Sequence, residues 1–131
     1  MKNINLAGCV ILYNPDLNTV RNIESYIKYL KILYIVDNQN GCEVIRAIKQ
    51  KYSNIHVIIH KENMGIAYSL NEVLQLCKDK YSHLLTMDQD SCFYNDSMAK
   101  YCREIEKFNW NNTLGIGTAI INTASAPPVF L

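Results

Sequence analysis

The chain has no apolar run of about 18 residues, so no segment suits a membrane-crossing helix. It lacks the charged-then-apolar opening of a secretory leader: Met1 to Asn5 is polar, and the next apolar stretch breaks at Asn14-Pro15-Asp16. It has no C-x-x-C, and its five cysteines, an odd number, fit a reducing compartment better than a disulfide framework. The net charge is only +1, and Lys and Arg are scattered with no basic run, which excludes a nucleic-acid footprint. Internal repeats and low-complexity segments are absent. With 49% hydrophobic and 19% charged residues, the composition is that of a folded globular chain. Its 131 residues suit one domain, long enough to bury roughly two-thirds of its unfolded surface.

What is present is an alternation of strand and helix. Leu6 to Tyr13 is an apolar run suited to a buried strand. Asn14-Pro15-Asp16 ends it and opens a helix marked by Leu17, Val20, Ile23, Ile27 and Leu30. Ile32 to Val36 reads as a second strand, Asp37 to Gly41 as a loop, and Val44, Ile45 and Ile48 as a short helix. Ile55 to Ile59 is a third strand, and Ile66, Leu70, Val73, Leu74 and Cys77 make a helical stripe. His83 to Met87 is a fourth strand, Met98 to Phe108 a further helix and Leu114 to Ile121 a last strand. Short apolar strands separated by helices predict a three-layer α/β/α fold around a mostly parallel, doubly wound sheet, with crossover helices on both faces. Cys9, Cys77 and Cys102 fall where buried structural thiols are expected, and Cys92 lies beside the acidic pair discussed next. Of the three histidines, His56 and His60 share a strand face without a third ligand, and a structural role is expected of them and of His83.

The densest chemical signal is Leu84-Leu85-Thr86-Met87-Asp88-Gln89-Asp90-Ser91. Side chains two apart in extended backbone point the same way, so Asp88 and Asp90 can converge at a strand end. Two converging carboxylates repel unless a cation or a set of donors lies between them. Mg2+ typically joins one or two carboxylates to substrate phosphates, so a metal–phosphate site is the leading idea and a solvated turn the plain alternative. Ligands of doubly wound sheets bind outside the carboxyl ends of the strands. Polar segments gather at those ends here: Asn14-Pro15-Asp16, Asp37-Asn38, Glu62-Asn63-Met64-Gly65 and Asp88-Gln89-Asp90. No G-x-G-x-x-G follows the first strand and no G-x-x-x-x-G-K-[ST] occurs, so phosphate must be handled through a cation. The polar side chains of Asp37, Asn38, Asn63 and Asn71 offer what a base and ribose need, although Asp37-Asn38 also suits an Asx turn. Gly65 permits close backbone approach, or is a plain helix-start glycine.

These residues together resemble the family 2 glycosyltransferases of the GT-A fold, particularly bacterial rhamnosyltransferase-like members. The resemblance rests on four blocks in order: Val10-Ile11-Leu12-Tyr13-Asn14-Pro15-Asp16, Ile35-Val36-Asp37-Asn38-Gln39, Glu62-Asn63-Met64-Gly65-Ile66-Ala67 with Leu70-Asn71, and Leu84 to Ser91. It implies a Rossmann-like nucleotide-binding half. Tyr13, Asn14 and Pro15 would line the nucleoside pocket, and Asp37 would hydrogen-bond the pyrimidine edge. Asn38, Asn63, Gly65 and Gln89 would belong to the nucleotide-sugar site, with Asn71 ordering the loop. Asp88 would contact ribose or donor sugar, and Asp90, with Asp88, would bind Mg2+ or Mn2+ at the diphosphate. The Gln89-Asp90-Ser91 sequence points within the family to dTDP-rhamnose, with UDP-linked sugars as the wider class.

The implied reaction is inverting, metal-assisted transfer to a saccharide or lipid-linked acceptor. The family's base lies well beyond the Asp-x-Asp motif. Asp96, Glu104 and Glu106 come too early for it, so the base and acceptor half are expected past Leu131, and residues 1–131 read as a C-terminally truncated single domain. A non-catalytic nucleotide-binding module is the alternative. A haloacid-dehalogenase-like phosphotransferase is a weaker one, since its D-x-D usually opens the fold. The expected location is cytoplasmic, with peripheral attachment to the inner membrane surface as a further option. Exposed apolar surface would allow self-association into a homo-oligomer.

Overall fold

The computed structural model describes residues 5–107 and, as backbone, residues 115–120 and 129–130. Its strands are β1 (Leu6–Tyr13), β2 (Ile32–Gln39), β3 (Ile55–Ile59), β4 (His83–Asp88), β5 (Gly115–Ile120) and β6 (Val129–Phe130). Its helices are α1 (Asn18–Glu24), α2 (Cys42–Lys49), α3 (Ile66–Cys77) and α4 (Ser97–Lys107). The sheet runs β3-β2-β1-β4-β5-β6. All neighbours pair in parallel except β6, which lies antiparallel on β5. The mostly parallel α/β architecture anticipated from the alternation is therefore what forms. Leu114, Ile121 and Phe108, at the ends of two anticipated elements, lie outside the described residues, as do Pro127, Pro128 and Leu131.

Parallel strands bury both faces, and β1 shows how. Val10 and Leu12 join the larger core cluster, with Ile23 from α1, Val44, Ile45 and Ile48 from α2, and Met98, Tyr101 and Ile105 from α4. Ala7 and Cys9 join a smaller cluster with Tyr34 and Val36 of β2 and with Val73 and Cys77 of α3. Three helices thus cover one face and α3 covers the other. Cys9 and Cys77 are buried and Cys102 is half-buried. Burial, and then the neighbouring Cys77, pushes the Cys9 thiol from 9.0 up to about 12, which makes it a packing group rather than a nucleophile.

Two boundaries differ from the sequence expectation. The first helix stops at Glu24, and a separate 3-10 turn, Ile27–Tyr29, carries the chain on. Ser25 Oγ donates back to the Asn22 carbonyl at 2.6 Å, and Tyr26 leaves helical backbone at φ −135°. Ile27 and Leu30 still reach the core, so the apolar spacing persists after the helix has ended. The second strand runs on through Asp37 and Asn38, which had read as loop. Asp37 pairs in register with Leu12 on one side and Ile59 on the other. Pairing on both sides outweighs the low strand preference of Asp37, and Asn38 is the extra residue where the register shifts before Gln39 pairs with Tyr13.

The connections from β1 lead outward through β2 to β3, and the chain then crosses to β4 on the other side of β1. The adjacent carboxyl ends of β1 and β4 are therefore the topological switch point, where a doubly wound sheet leaves a crevice.

Candidate functional site at the β1–β4 switch point

A cavity of about 480 Å³ opens at this point, on the face covered by α3. Strand parity decides which side chains enter it. Ile11 and Tyr13 come from β1, Thr86 and Asp88 from β4, and Asn38 from β2, all on the α3 face. Asp90 and Ser91 follow from the turn after β4, where the Ser91 amide donates to the Asp88 carbonyl at 3.1 Å. Asn63, Gly65 and Ile66 close the opposite wall at the start of α3.

The strand ends are held by side-chain amides. Gln89 Oε1 accepts from the Tyr13 N–H at 2.9 Å, and Gln89 Nε2 donates to the Tyr13 carbonyl at 3.0 Å. The Gln89 side chain thus continues the β1–β4 pairing past its last backbone partner, while its own carbonyl accepts from Asn22 Nδ2 at 2.9 Å. Across β1 and β2, Asn40 Nδ2 donates to Asn14 Oδ1 at 2.7 Å, with both residues at positive φ, where asparagine is among the better tolerated side chains. Asn63 Oδ1 accepts from the Gly65 N–H at 2.9 Å, and Gly65 sits at φ 84°, ψ 166°, a region open essentially to glycine alone. Gly65 supplies no side-chain cap to α3, so the first-turn N–H groups remain available and the helix dipole favours negative charge nearby.

Of the residues singled out in the sequence, Tyr13, Asn38, Asn63, Gly65, Asp88, Gln89 and Asp90 meet in the cavity. Asn14, Pro15, Asp37 and Asn71 do not line it. Asn14 bonds Asn40, and Pro15 is half-buried beside it. Asp37 points to the other face of the sheet, where its Oδ1 accepts from the Gly41 N–H at 2.9 Å ahead of α2. A Cβ at Gly41 would stand 2.8 Å from that oxygen, so the close approach requires glycine. Asn71 is exposed on α3, and Ser69 instead ties the loop, its Oγ donating to the Gly65 carbonyl at 2.9 Å. Asp96, Glu104 and Glu106 are exposed on or just before α4, whose core residues pack against the opposite face of the sheet.

Sequence reading missed the support behind Asn38. His60 Nδ1 lies 2.5 Å from Asn38 Oδ1, and His60 Nε2 lies 2.8 Å from Glu72 Oε1. The available signals were the position of His60 directly after a strand, and the polar Ser69 on the otherwise apolar stripe with Val73 and Cys77. His56 stacks tilted on Tyr34 with centroids 5.2 Å apart, a structural contact.

The charge of the lining carries chemical information. It includes two carboxylates, Asp88 and Asp90, and no Lys or Arg among the described residues. Neither carboxylate has an ion pair there. No group of three His, Cys, Asp or Glu gathers anywhere among the described residues, so an all-protein metal cage is absent from them. Two oxygen-donor side chains beside an open cavity fit Mg2+ or Mn2+ completed by phosphate oxygens, a hard cation with hard ligands. No helix among the described residues is long and apolar enough to cross a membrane.

The family model described as Glycosyl transferase family 2 matches residues 9–122. No curated protein matches the chain. The match covers all four sequence blocks, and with the acidic pair ending the fourth strand rather than the first it leaves no ground for a haloacid-dehalogenase-like assignment.

Proposed function

The chain belongs to glycosyl transferase family 2, and from that premise we propose that its cavity binds the donor of a sugar transfer, a nucleoside-diphosphate sugar. The observation that carries this reading is the pair of carboxylates at the switch point, with no ion pair and no basic side chain beside them among the described residues. A diphosphate entering alone would meet only like charge there. Asp88 and Asp90 would hold Mg2+ or Mn2+ against the diphosphate, and the cation would neutralise charge on the leaving nucleoside diphosphate. Tyr13 and Asn38 would contact the nucleoside, and Asn63 and Gly65 would border the diphosphate beside the start of α3.

The transfer we propose is inverting, from a dTDP- or UDP-linked sugar, with rhamnose the favoured case, to a saccharide or lipid-linked acceptor. An acceptor hydroxyl attacks the anomeric carbon as a base takes its proton. The cavity carries no third acidic side chain among the described residues, so no base is assigned within it. That same observation favours a second reading, nucleotide binding without turnover. Attachment at the inner membrane surface would suit a lipid-linked acceptor. Tyr13, Met64, Ile66 and Tyr68, exposed near the cavity mouth, would supply apolar surface for self-association.

The test is calorimetric titration with UDP and dTDP, with and without Mn2+, on the native chain and on Asp90→Ala. Binding that needs the metal and weakens at least tenfold in the variant supports the reading, since one lost charged contact is worth about 1.5–3 kcal/mol. Metal-independent binding, or none by a folded sample, sinks it. Turnover on added acceptors separates the transferase from the binding module.

A further inference from the structure

We propose that Asn38 reads the donor through its amide NH2 group, and that His60, bridged on its other ring nitrogen to Glu72, fixes that orientation. The inference rests on the donor-site reading and names the base class that the site prefers.

Hydrogen counting leads to it. Asn38 is 2% exposed and lines the cavity, so its amide is one of the few buried polar groups aimed there. Its Oδ1 faces His60 Nδ1 at 2.5 Å and Ser69 Oγ at 3.4 Å. On the far side of the ring, Nε2 faces a carboxylate oxygen of Glu72 at 2.8 Å. Both partners of the imidazole are acceptors. A neutral ring has one N–H and would set a lone pair against one of them, so the arrangement is satisfied only when both nitrogens carry hydrogen. The His60 side chain is 9% exposed, so its ring is held among these partners, while the Glu72 carboxylate on its outer side reaches solvent. The Ser69 hydroxyl has one hydrogen and gives it to the Gly65 carbonyl at 2.9 Å, so His60 is the principal donor to Oδ1. That leaves Nδ2, which no protein group engages among the described residues, for the ligand.

The titratable groups facing His60 are Glu72 and Tyr68 of α3, the latter with its ring edge-on at 5.6 Å. β2 presents only uncharged Asn38 and the Asp37 carbonyl, which accepts from the His60 N–H at 2.9 Å. Lys61 and Glu62 follow on its own loop and are exposed.

Asn38 lies two strands across the sheet from Asp88, on the order of 10 Å at about 4.8 Å per strand, which is the reach of a nucleoside from its diphosphate. An NH2 group there pairs with a carbonyl and opposes an amino group. Uracil and thymine carry a carbonyl at C4 where cytosine carries an amine. The site therefore favours keto pyrimidines. Loss of the His60 proton frees the amide to turn, with Nδ2 donating to Nδ1 and Oδ1 facing the ligand, and the preference then collapses.

The experiment measures UDP and CDP affinities with Mn2+ across a pH series, on the native chain, His60→Phe and Asn38→Asp. It also records the long-range 1H–15N spectrum of the His60 ring in the ligand-free chain. The expected results are a UDP preference of about tenfold that falls as pH rises, is lost in His60→Phe and inverts in Asn38→Asp. The ring should show two protonated nitrogens wherever the preference is seen. UDP binding with unchanged selectivity in His60→Phe overturns the inference and leaves the donor site standing. A neutral ring in the native chain under conditions of full selectivity overturns it without recourse to any variant. Failure of both nucleotides to bind the folded chain overturns the donor-site reading along with it.

Discussion

The two faces of the sheet divide the work of the molecule. One is sealed by α1, α2 and α4 over a core in which Ile23, Tyr26, Ile35, Ile48 and Leu85 have no exposure. The other has only α3, a smaller apolar cluster, and the cavity where the helix stops short of the β1 and β4 ends. The sealed face is held by apolar area. The open face is held at its edge by amides: Gln89 on Tyr13, Asn63 on Gly65, and Asn38 on His60. Burial provides the stability that lets a neighbouring surface keep polar groups poised and unfilled. Asp37 and Asn38 state the contrast most sharply, since adjacent residues of one strand serve the two faces. The first braces the start of α2, and the second enters the cavity.

The largest effect that would test this division is Ile48→Ala. It should lower unfolding stability by about 2–5 kcal/mol in a denaturant titration, yet leave nucleotide affinity in the folded protein unchanged. A parallel loss of affinity would mean the faces are not independent. Gly65→Ala is the counterpart on the open face. A Cβ there meets nothing within 4 Å, so the change strains backbone alone at φ 84°, at a cost of about 1–3 kcal/mol. Because Gly65 borders the cavity, affinity should fall with it.

The pH dependence of stability, slight near neutrality, draws on both faces. Burial holds the His83 imidazole below its ordinary 6.5. The unfolded chain therefore takes up that proton first, and stability declines as pH falls below 6.5. Burial raises the Cys9 thiol from 9.0 to about 12, and the Tyr34 and Tyr101 hydroxyls from 10.0 to about 12. The unfolded chain ionises first there, so stability declines as pH rises from 9.0 toward 12. A plateau between these limits, measured by thermal unfolding, is the expected profile, and a maximum outside it would contradict these shifts.

Much of the fold was legible because apolar spacing reports burial directly. β1, β3 and α3 begin and end where Leu6–Tyr13, Ile55–Ile59 and Ile66–Cys77 predict. The first helix was overread because Ile27 and Leu30 keep a helical spacing through a 3-10 turn. β2 was underread because Asp37 and Asn38 resemble a turn, while pairing on both sides holds Asp37 in the strand and Asn38 passes through the register shift before Gln39 pairs with Tyr13. Strand alternation places adjacent residues such as these on opposite faces, so the two do not both face one ligand. The His60–Glu72 support was not legible, because it depends on how a loop after β3 meets a helix turn twelve residues on.

The Gln89 amide on the Tyr13 backbone has a kinetic meaning. A cleft whose strand ends are pinned before any ligand arrives needs no loop ordering on encounter, so the entropy of shaping it is lost during folding instead of at association. Tyr13 ends β1 in register with Gln39 of β2, and with the Gln89 side chain on its other side its amide hydrogen should resist exchange with solvent nearly as well as those inside the sheet. Entry to this cleft should then be limited by diffusion and charge, with little delay from rearrangement of its β1–β4 floor.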